Sequence, residues 1–392
     1  MKKVLWLTSW YPNETDPFSG DFIKRQAEAV SIYQPLKVLW VGKYAPVHFS
    51  EKTNHSNSKF NTENLKEYII YYPSSDDTKN IFSKIKSLIN YFRKNREFIQ
   101  QLRERNELPD IVHVQVAMKA GLIALYIKWK YKIPYILTEH WSGYYAIAKD
   151  SLFKKPLLTR FLTRMIIKKA EILLPVSEAL GKQINKYWVQ LSFQNISNVV
   201  DTRFFYPLNP HQRNRFRFIH ISSLLYPKNP EGIVRSFVEL LKQGYDIDLT
   251  LVGPLNQISN ELIQTIGLHK ENIGCTDEIP YDRVGSELRK SSALVMFSFY
   301  ENMPCVILEA LCSGIPVIAT RVGGIPEVIQ EDNGILINAG DETALLEAMK
   351  EMISNYHLYN KENISRKAIG QFSYETIGKK ITEVYDSVLK NN

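Results

Sequence analysis

The sequence predicts an α/β chain of two Rossmann-like, doubly wound domains facing across a deep cleft, and three observations lead there. Short β-branched runs alternate with longer segments of helical period, the pattern of βαβ units and parallel sheets. The alternation stops near Asn198 and restarts near Phe216, so whole domains are doubled rather than short repeats. The 392 residues also exceed one ordinary core. At about 150 residues per domain they allow two or three, and the pattern selects two.

In the first half, apolar runs predict strands at Lys3–Thr8, Leu36–Val41, Asp110–Gln115, Pro134–Thr138 and Ile172–Val176. In the second, strands are expected at Phe216–Ile221, Asp248–Val252, Ala293–Ser298 and Pro316–Ala319, with helices at Glu231–Lys242, Cys305–Ser313 and Glu342–Ser354 between and after them. Asn198 to Pro210 has two prolines and no periodicity and reads as an interdomain linker. The expected domains are therefore 1–205 and 206–372. A final amphipathic helix carries Ile377, Ile381, Val384, Tyr385 and Val388 on one stripe and is expected to pack back, within 373–392, on the first domain.

Composition narrows the class further. A chain 44% hydrophobic and 23% charged can bury a core, which excludes disordered and fibrous proteins. Cys275, Cys305 and Cys312 have neither disulfide-framework nor zinc spacing, so a reducing cytoplasm is expected. Thr8 and Ser9 end the opening apolar run, which reads as a strand rather than a signal peptide. The richest apolar stretch, Ile111 to Leu137, is broken by His113 and four lysines and is not expected to span a bilayer. The excess of 49 Lys and Arg over 41 Asp and Glu permits nucleic acid, anionic lipid or phosphorylated partners without choosing among them.

The densest chemistry runs from Phe299 to Glu327. Glu301 is expected in a loop at the carboxyl end of a strand, Pro304 in a first helical turn, and Gly314 at the cap behind. That helix end offers unpaired N–H donors, and Glu309 projects from the helix behind it. Two carboxylates so spaced can accept from different hydroxyls of one extended ligand, as sugars and riboses are. A lone pair of glutamates would more often be solvated surface charge.

The full string resembles the retaining family-4 glycosyltransferases of the GT-B fold. It contains Glu301, seven residues, Glu309, Ala310, the Gly314-Ile315-Pro316-Val317 turn and the Gly323-Gly324-Ile325-Pro326-Glu327 segment. The resemblance implies that Glu301 contacts the donor sugar and that Glu309 holds the ribose, with Asn302 and Met303 beside them in the donor site. Upstream, Ile219 to Pro230 looks like the family's strand-to-loop segment, with Ser222, Ser223 and Lys228 on the donor side. Where the family usually has a phosphate-binding arginine, this chain has Ser223; its hydroxyl or Arg321 would have to compensate. Lys228, just before a helix, suits a leaving diphosphate.

In the first half, Gly20 at a helix start resembles the family's glycine-containing first loop, which implies a place in the donor site near the diphosphate and acceptor. His140 follows the strand Pro134–Thr138 at its carboxyl end, where the family has a histidine that contacts the donor sugar; His113 is the structural histidine. Asp246-Ile247-Asp248 matches the Asp-x-Asp of metal-dependent transferases, but falls at the amino end of a strand, away from the expected cleft.

The resemblance thus implies a metal-independent, retaining transferase that needs no cofactor. It would move a hexose-type sugar from a nucleoside diphosphate to a glycan or lipid-linked acceptor, an activity of cell-surface polysaccharide synthesis in the cytoplasm. Lys79–Arg105 and Phe153–Lys169 interleave apolar and cationic residues; contact with an anionic membrane at its inner face and ordinary core packing explain them equally. No nucleic-acid recognition motif is present. A nucleotide-sugar epimerase, a phosphorylase or an inactive carbohydrate-binding homologue are the rival readings.

Overall fold

Strands that are buried on both faces are built mostly from apolar residues, and the runs Val4–Thr8, Ile111–Gln115 and Tyr135–Glu139 are buried throughout. The computed structural model describes residues 2–44, 63–73, 81–208 and 215–391. Lys79 of the expected basic segment and Asn209 and Pro210 of the expected linker lie outside them. The chain divides into two units, Met1–Val176 with Gly181–Ile196 and Tyr374–Asn392, and Ser177–Leu180 with Ser197–Ser373.

The strands in chain order are β1 (Val4–Thr8), β2 (Leu36–Tyr44), β3 (Leu65–Pro73), β4 (Ile111–Gln115), β5 (Tyr135–Glu139) and β6 (Leu173–Pro175), then β7 (Phe216–Ile221), β8 (Ile247–Val252), β9 (Ile273–Thr276), β10 (Ala293–Met296), β11 (Val317–Thr320) and β12 (Gly334–Ile337). The first six form one sheet in the order β3-β2-β1-β4-β5-β6, and the last six another in the order β12-β11-β10-β7-β8-β9. All pairings are parallel. Counted from its own first strand, each sheet has the doubly wound order 3-2-1-4-5-6, whose direction reverses between strands one and four. The two switch points are therefore β1/β4 and β7/β10.

The helices are α1 (Asp21–Ser31), α2 (Ile81–Glu104), α3 (Ala120–Tyr131), α4 (Leu157–Lys169), α5 (Glu178–Tyr187), α6 (Pro230–Lys242), α7 (Asn260–Leu268), α8 (Tyr281–Arg289), α9 (Cys305–Cys312), α10 (Glu342–Ser354), α11 (Lys361–Phe372) and α12 (Tyr374–Asn391). The last belongs to the first unit, where the Trp6 indole N–H donates to Tyr385 Oη at 2.8 Å and Tyr374 donates to Glu28.

The segment read as a linker is packed over most of its described length. Val199, Val200 and Phe205 are fully buried, and Val200 N–H donates to Phe372 O at 2.8 Å. Residues 197–205, expected in the first domain, thus lie in the second unit. The apolar residues precede the prolines that suggested a linker, and burying them outweighs the irregular backbone.

Candidate active site

The carboxyl ends of β7 and β10 meet at the switch point of the second unit, and the loops leaving them carry its polar groups. Lys228 lies just before α6, whose N-cap Asn229 adopts a left-handed conformation and accepts from Gly232 N–H at 3.2 Å. The loop is tied to the end of β10 by Phe299 N–H donating to Pro227 O at 2.9 Å and by Tyr226 stacked on Phe299 at 5.4 Å. These contacts bring the Lys228 ammonium onto Glu301 Oε1 as an ion pair. Ser298 Oγ donates to the same carboxylate oxygen at 2.9 Å. Both partners of the pair are partly buried, where an opposite charge is screened less than on the surface.

The Gly-Gly of the motif has a steric cause. Gly323 has φ +53° and a Cβ there would come within 1.9 Å of Glu301 O, so only glycine lets this loop pass the Glu301 backbone. Gly324 N–H then donates to Asn302 O at 2.7 Å. Asn302 and Met303 are buried, and Met303 O accepts from the Asn198 amide at 2.9 Å. Glu309 is buried on α9. Glu327, at the motif's far end, is a cap: its two oxygens accept from Glu178 N–H and Ala179 N–H at the start of α5, at 2.9 and 2.8 Å.

Ser222 and Ser223 follow β7, and their situations differ. His220 is fully buried, which pushes its pKa down to about 4. Its Nδ1–H donates to Val295 O at 2.8 Å, so Nε2 must accept from Ser222 Oγ–H at 2.7 Å. Ser222 Oγ also accepts from Leu224 N–H. The Ser222 hydroxyl therefore organises its own loop, whereas Ser223 is exposed. Arg321 lines a recess of about 570 Å³ with Glu351 and Tyr359, and none of Ser222, Ser223, Lys228 or Glu301 lines it.

In the first unit, His140 follows β5 and is buried, its Nε2 3.0 Å from Gln115 Oε1 and its ring 4.8 Å from that of Phe22. The loop around it is set by Glu139. That buried carboxylate accepts from the backbone N–H groups of Ala117, His140 and Trp141 and from Tyr144 Oη. Burial raises the Glu139 pKa, and these four donors oppose the rise. His113 is structural: fully buried, bonded to Tyr385 Oη and Thr138 Oγ1, and held by desolvation well below the usual histidine range. Gly20 caps α1 at φ +64°, and a Cβ there would meet the Trp10 backbone at 2.7 Å. Its glycine is thus required by the chain itself.

The structure brings together Lys228, Glu301, Asn302 and Met303, with Ser222 and Ser223 on the neighbouring strand end, while Gly20 and His140 belong to the other unit. Ser298, Asn198, Gln115 and Glu139 support these groups without having stood out in the sequence, since each acts through residues made neighbours by the fold. Asp246 and Asp248 lie at the amino end of β8, paired with Arg215 and Arg217.

Residues 207–372 match the family described as glycosyl transferases group 1, and residues 67–204 match glycosyltransferase family 4. Among curated proteins the chain is similar to N-acetyl-alpha-D-glucosaminyl L-malate synthase of Bacillus anthracis, 26% identical over 74% of this chain and 78% of that one. It is also similar to a putative teichuronic acid biosynthesis glycosyltransferase of Bacillus subtilis, 23% identical over 96% and 93%. Sucrose-phosphate synthase of Thermosynechococcus elongatus shares the fold over the full length of both chains, with a TM-score of 0.76 at 16% identity. Anabaena HepE, solved with UDP, covers 98% of this chain and 100% of its own at a TM-score of 0.70 and 15% identity.

Proposed function

The chain belongs to the family-4 glycosyltransferases, of GT-B type, and on that premise we propose that it transfers a hexose-type sugar from a nucleoside diphosphate sugar with retention of configuration and without a metal. The observation that carries this reading is the Lys228–Glu301 pair, held at a strand switch point beside the start of α9. The fold neighbour solved with UDP and UDP-glucose agrees with such a donor.

In this reading the bond from the sugar's anomeric carbon to the diphosphate oxygen breaks while a bond to the acceptor oxygen forms on the same face. The acceptor proton passes to the departing phosphate oxygen. Lys228 exchanges its contact with Glu301 for the diphosphate and neutralises the developing charge. Glu301 is left to accept from sugar hydroxyls, and His140 supports the sugar ring. Asn302, Met303 and Ser223 flank the diphosphate and sugar; Ser222 and Gly20 act by shaping loop backbone. No metal is needed where Lys228 and helix N–H groups meet the phosphate charge, and the Arg-paired Asp246 and Asp248 are poor candidates for holding one. Measuring donor turnover with and without acceptor separates a transferase from an epimerase, a phosphorylase or an inert binder.

Glu309 holds the ribose. Glu309→Ala should therefore weaken nucleoside diphosphate binding in calorimetry by about tenfold, the loss of one or two charge-assisted hydrogen bonds. Unchanged affinity would remove Glu309 from the donor site.

The acceptor is a glycan or a lipid-linked saccharide met at an anionic membrane. No described helix is long and apolar enough to cross a bilayer. On α4, however, Leu157, Leu158 and Phe161 are 77%, 68% and 62% exposed within one turn, followed by exposed Arg164, Lys168 and Lys169. The fully buried residues of this helix are Thr163, Ile166 and Ile167. An apolar turn beside cations fits a surface of anionic lipid. Phosphatidylglycerol vesicles should sediment the protein and phosphatidylcholine vesicles should not. Changing Leu157 and Phe161 to serine should weaken that binding by roughly tenfold or more, since each buried side chain contributes about 1.5–3 kcal/mol. Equal sedimentation of variant and parent would exclude this face.

A further inference from the structure

Gln115 ends β4, is fully buried, and joins two histidines that sequence reasoning treated separately. Because side chains alternate along a strand, Gln115 and His113 share one face of the sheet. The Gln115 carboxamide lies between His113 and His140, with Oε1 3.0 Å from His140 Nε2 and Nε2 3.3 Å from His113 Nε2.

We propose that Gln115 is a positioning residue that fixes His140 as the Nε2–H tautomer, through a buried hydrogen-bond chain anchored on Tyr385 of the C-terminal helix. The proposal rests on the reading that His140 supports the donor sugar.

The polarity of the chain follows from what each group can do. A carboxamide oxygen only accepts, so His140 Nε2 carries the hydrogen that Gln115 Oε1 receives. A carboxamide nitrogen only donates, so His113 Nε2 must present a lone pair. Thr138 Oγ1, 2.7 Å from the same nitrogen, donates into it as well. His113 is neutral, because complete burial disfavours its charged form and His140 acts in the same direction. Its one ring hydrogen is therefore on Nδ1, which donates to Tyr385 Oη at 2.7 Å. The same phenol oxygen receives the Trp6 indole hydrogen at 2.8 Å, and an indole N–H can only donate.

Trp6, His113, Gln115, Thr138 and Tyr385 are each no more than 2% exposed. The Thr138 and Tyr385 hydroxyls can donate or accept, so the Gln115 carboxamide sets the direction of the chain: a reversed His113 would put a buried ring N–H against the buried Gln115 amide donor. His140 is further held on its ring face by Phe22. The fixed tautomer leaves the His140 lone pair on Nδ1. The ring hydrogen of a neutral His140 is thereby committed to Gln115.

The test is nitrogen-15 NMR of histidine-labelled full-length protein, combined with steady-state kinetics. His140 in the parent should appear as the neutral Nε2–H form; the Nδ1–H form there overturns the proposal without any variant. Gln115→Met, of similar size but unable to accept, should give a mixture of tautomers. Its kcat should fall by about tenfold or more, as loss of a positioned polar group does, with nucleotide affinity within about threefold of the parent. Gln115→Leu also removes the acceptor facing His140 and should likewise give mixed tautomers, so it provides the same reading should the methionine variant fail to fold. A Gln115→Met enzyme with an unmixed Nε2–H signal, or with mixed tautomers and unchanged kcat, overturns the proposal. If His140→Ala leaves turnover normal, the role given to His140 is wrong, while the tautomer can still be read in the parent's spectrum.

Discussion

Lys228→Ala should lower kcat about a thousandfold or more, equivalent to roughly 4 kcal/mol of lost transition-state stabilisation. The ammonium is the cation nearest Glu301 at the β7/β10 switch point, partly shielded from water and aimed by the Asn229 cap and the Phe299–Pro227 hydrogen bond. Charge develops on the diphosphate only as the glycosidic bond breaks, so the loss appears in turnover more than in donor binding. Removing Lys228 also takes the ionic partner from Glu301, which keeps its hydrogen bond from Ser298. Lys228→Arg should recover part of the rate, because the charge returns without the compact point geometry of an ammonium. The parent's rate should persist in excess EDTA. A rate that needs metal and survives the Lys228 change contradicts the mechanism.

His140→Ala should lower kcat by about a hundredfold while nucleoside diphosphate affinity stays within about threefold, the signature of an interaction made mainly in the transition state. His140 is set in a loop fixed independently by the Glu139 carboxylate, which binds the backbone of Ala117, His140 and Trp141. The alanine variant should therefore fold, and steady-state kinetics beside nucleotide calorimetry separates the two effects. Equal loss of kcat and nucleotide affinity would assign His140 to nucleotide binding instead.

The fold was legible wherever strands are buried on both faces. β1, β4 and β5 read as mostly apolar runs because no position along them meets water, their few polar side chains being buried as well. The strands that escaped, β3, β9 and β12, all lie at sheet edges. β3 carries Lys66 and a buried Glu67, whose charge is met by Tyr11 at 2.6 Å and by Lys24, so its polar letters hid a partly buried strand. β9 is short and half exposed, and β12 opens on a glycine.

The candidate site divides in the same way. Glu301 to Glu327 could be read because its groups are close in sequence and its glycines are dictated by one backbone crossing. Gln115, 25 residues from His140, and Asn198, 105 residues from Met303, carried no local signal. Ser222 shows the limit from the other side: the motif suggested a ligand contact, whereas His220 and Leu224 engage its hydroxyl.

The most direct test of the central claim is the anomeric configuration of the product. The full-length protein would be incubated with a nucleoside diphosphate sugar and an accepted acceptor in excess EDTA, and the anomeric proton coupling constant of the new glycoside read by NMR. Same-face attack, assisted by the departing phosphate, predicts the configuration of the donor. An inverted product would require a base on the opposite face and would contradict the roles given to Lys228, Glu301 and His140.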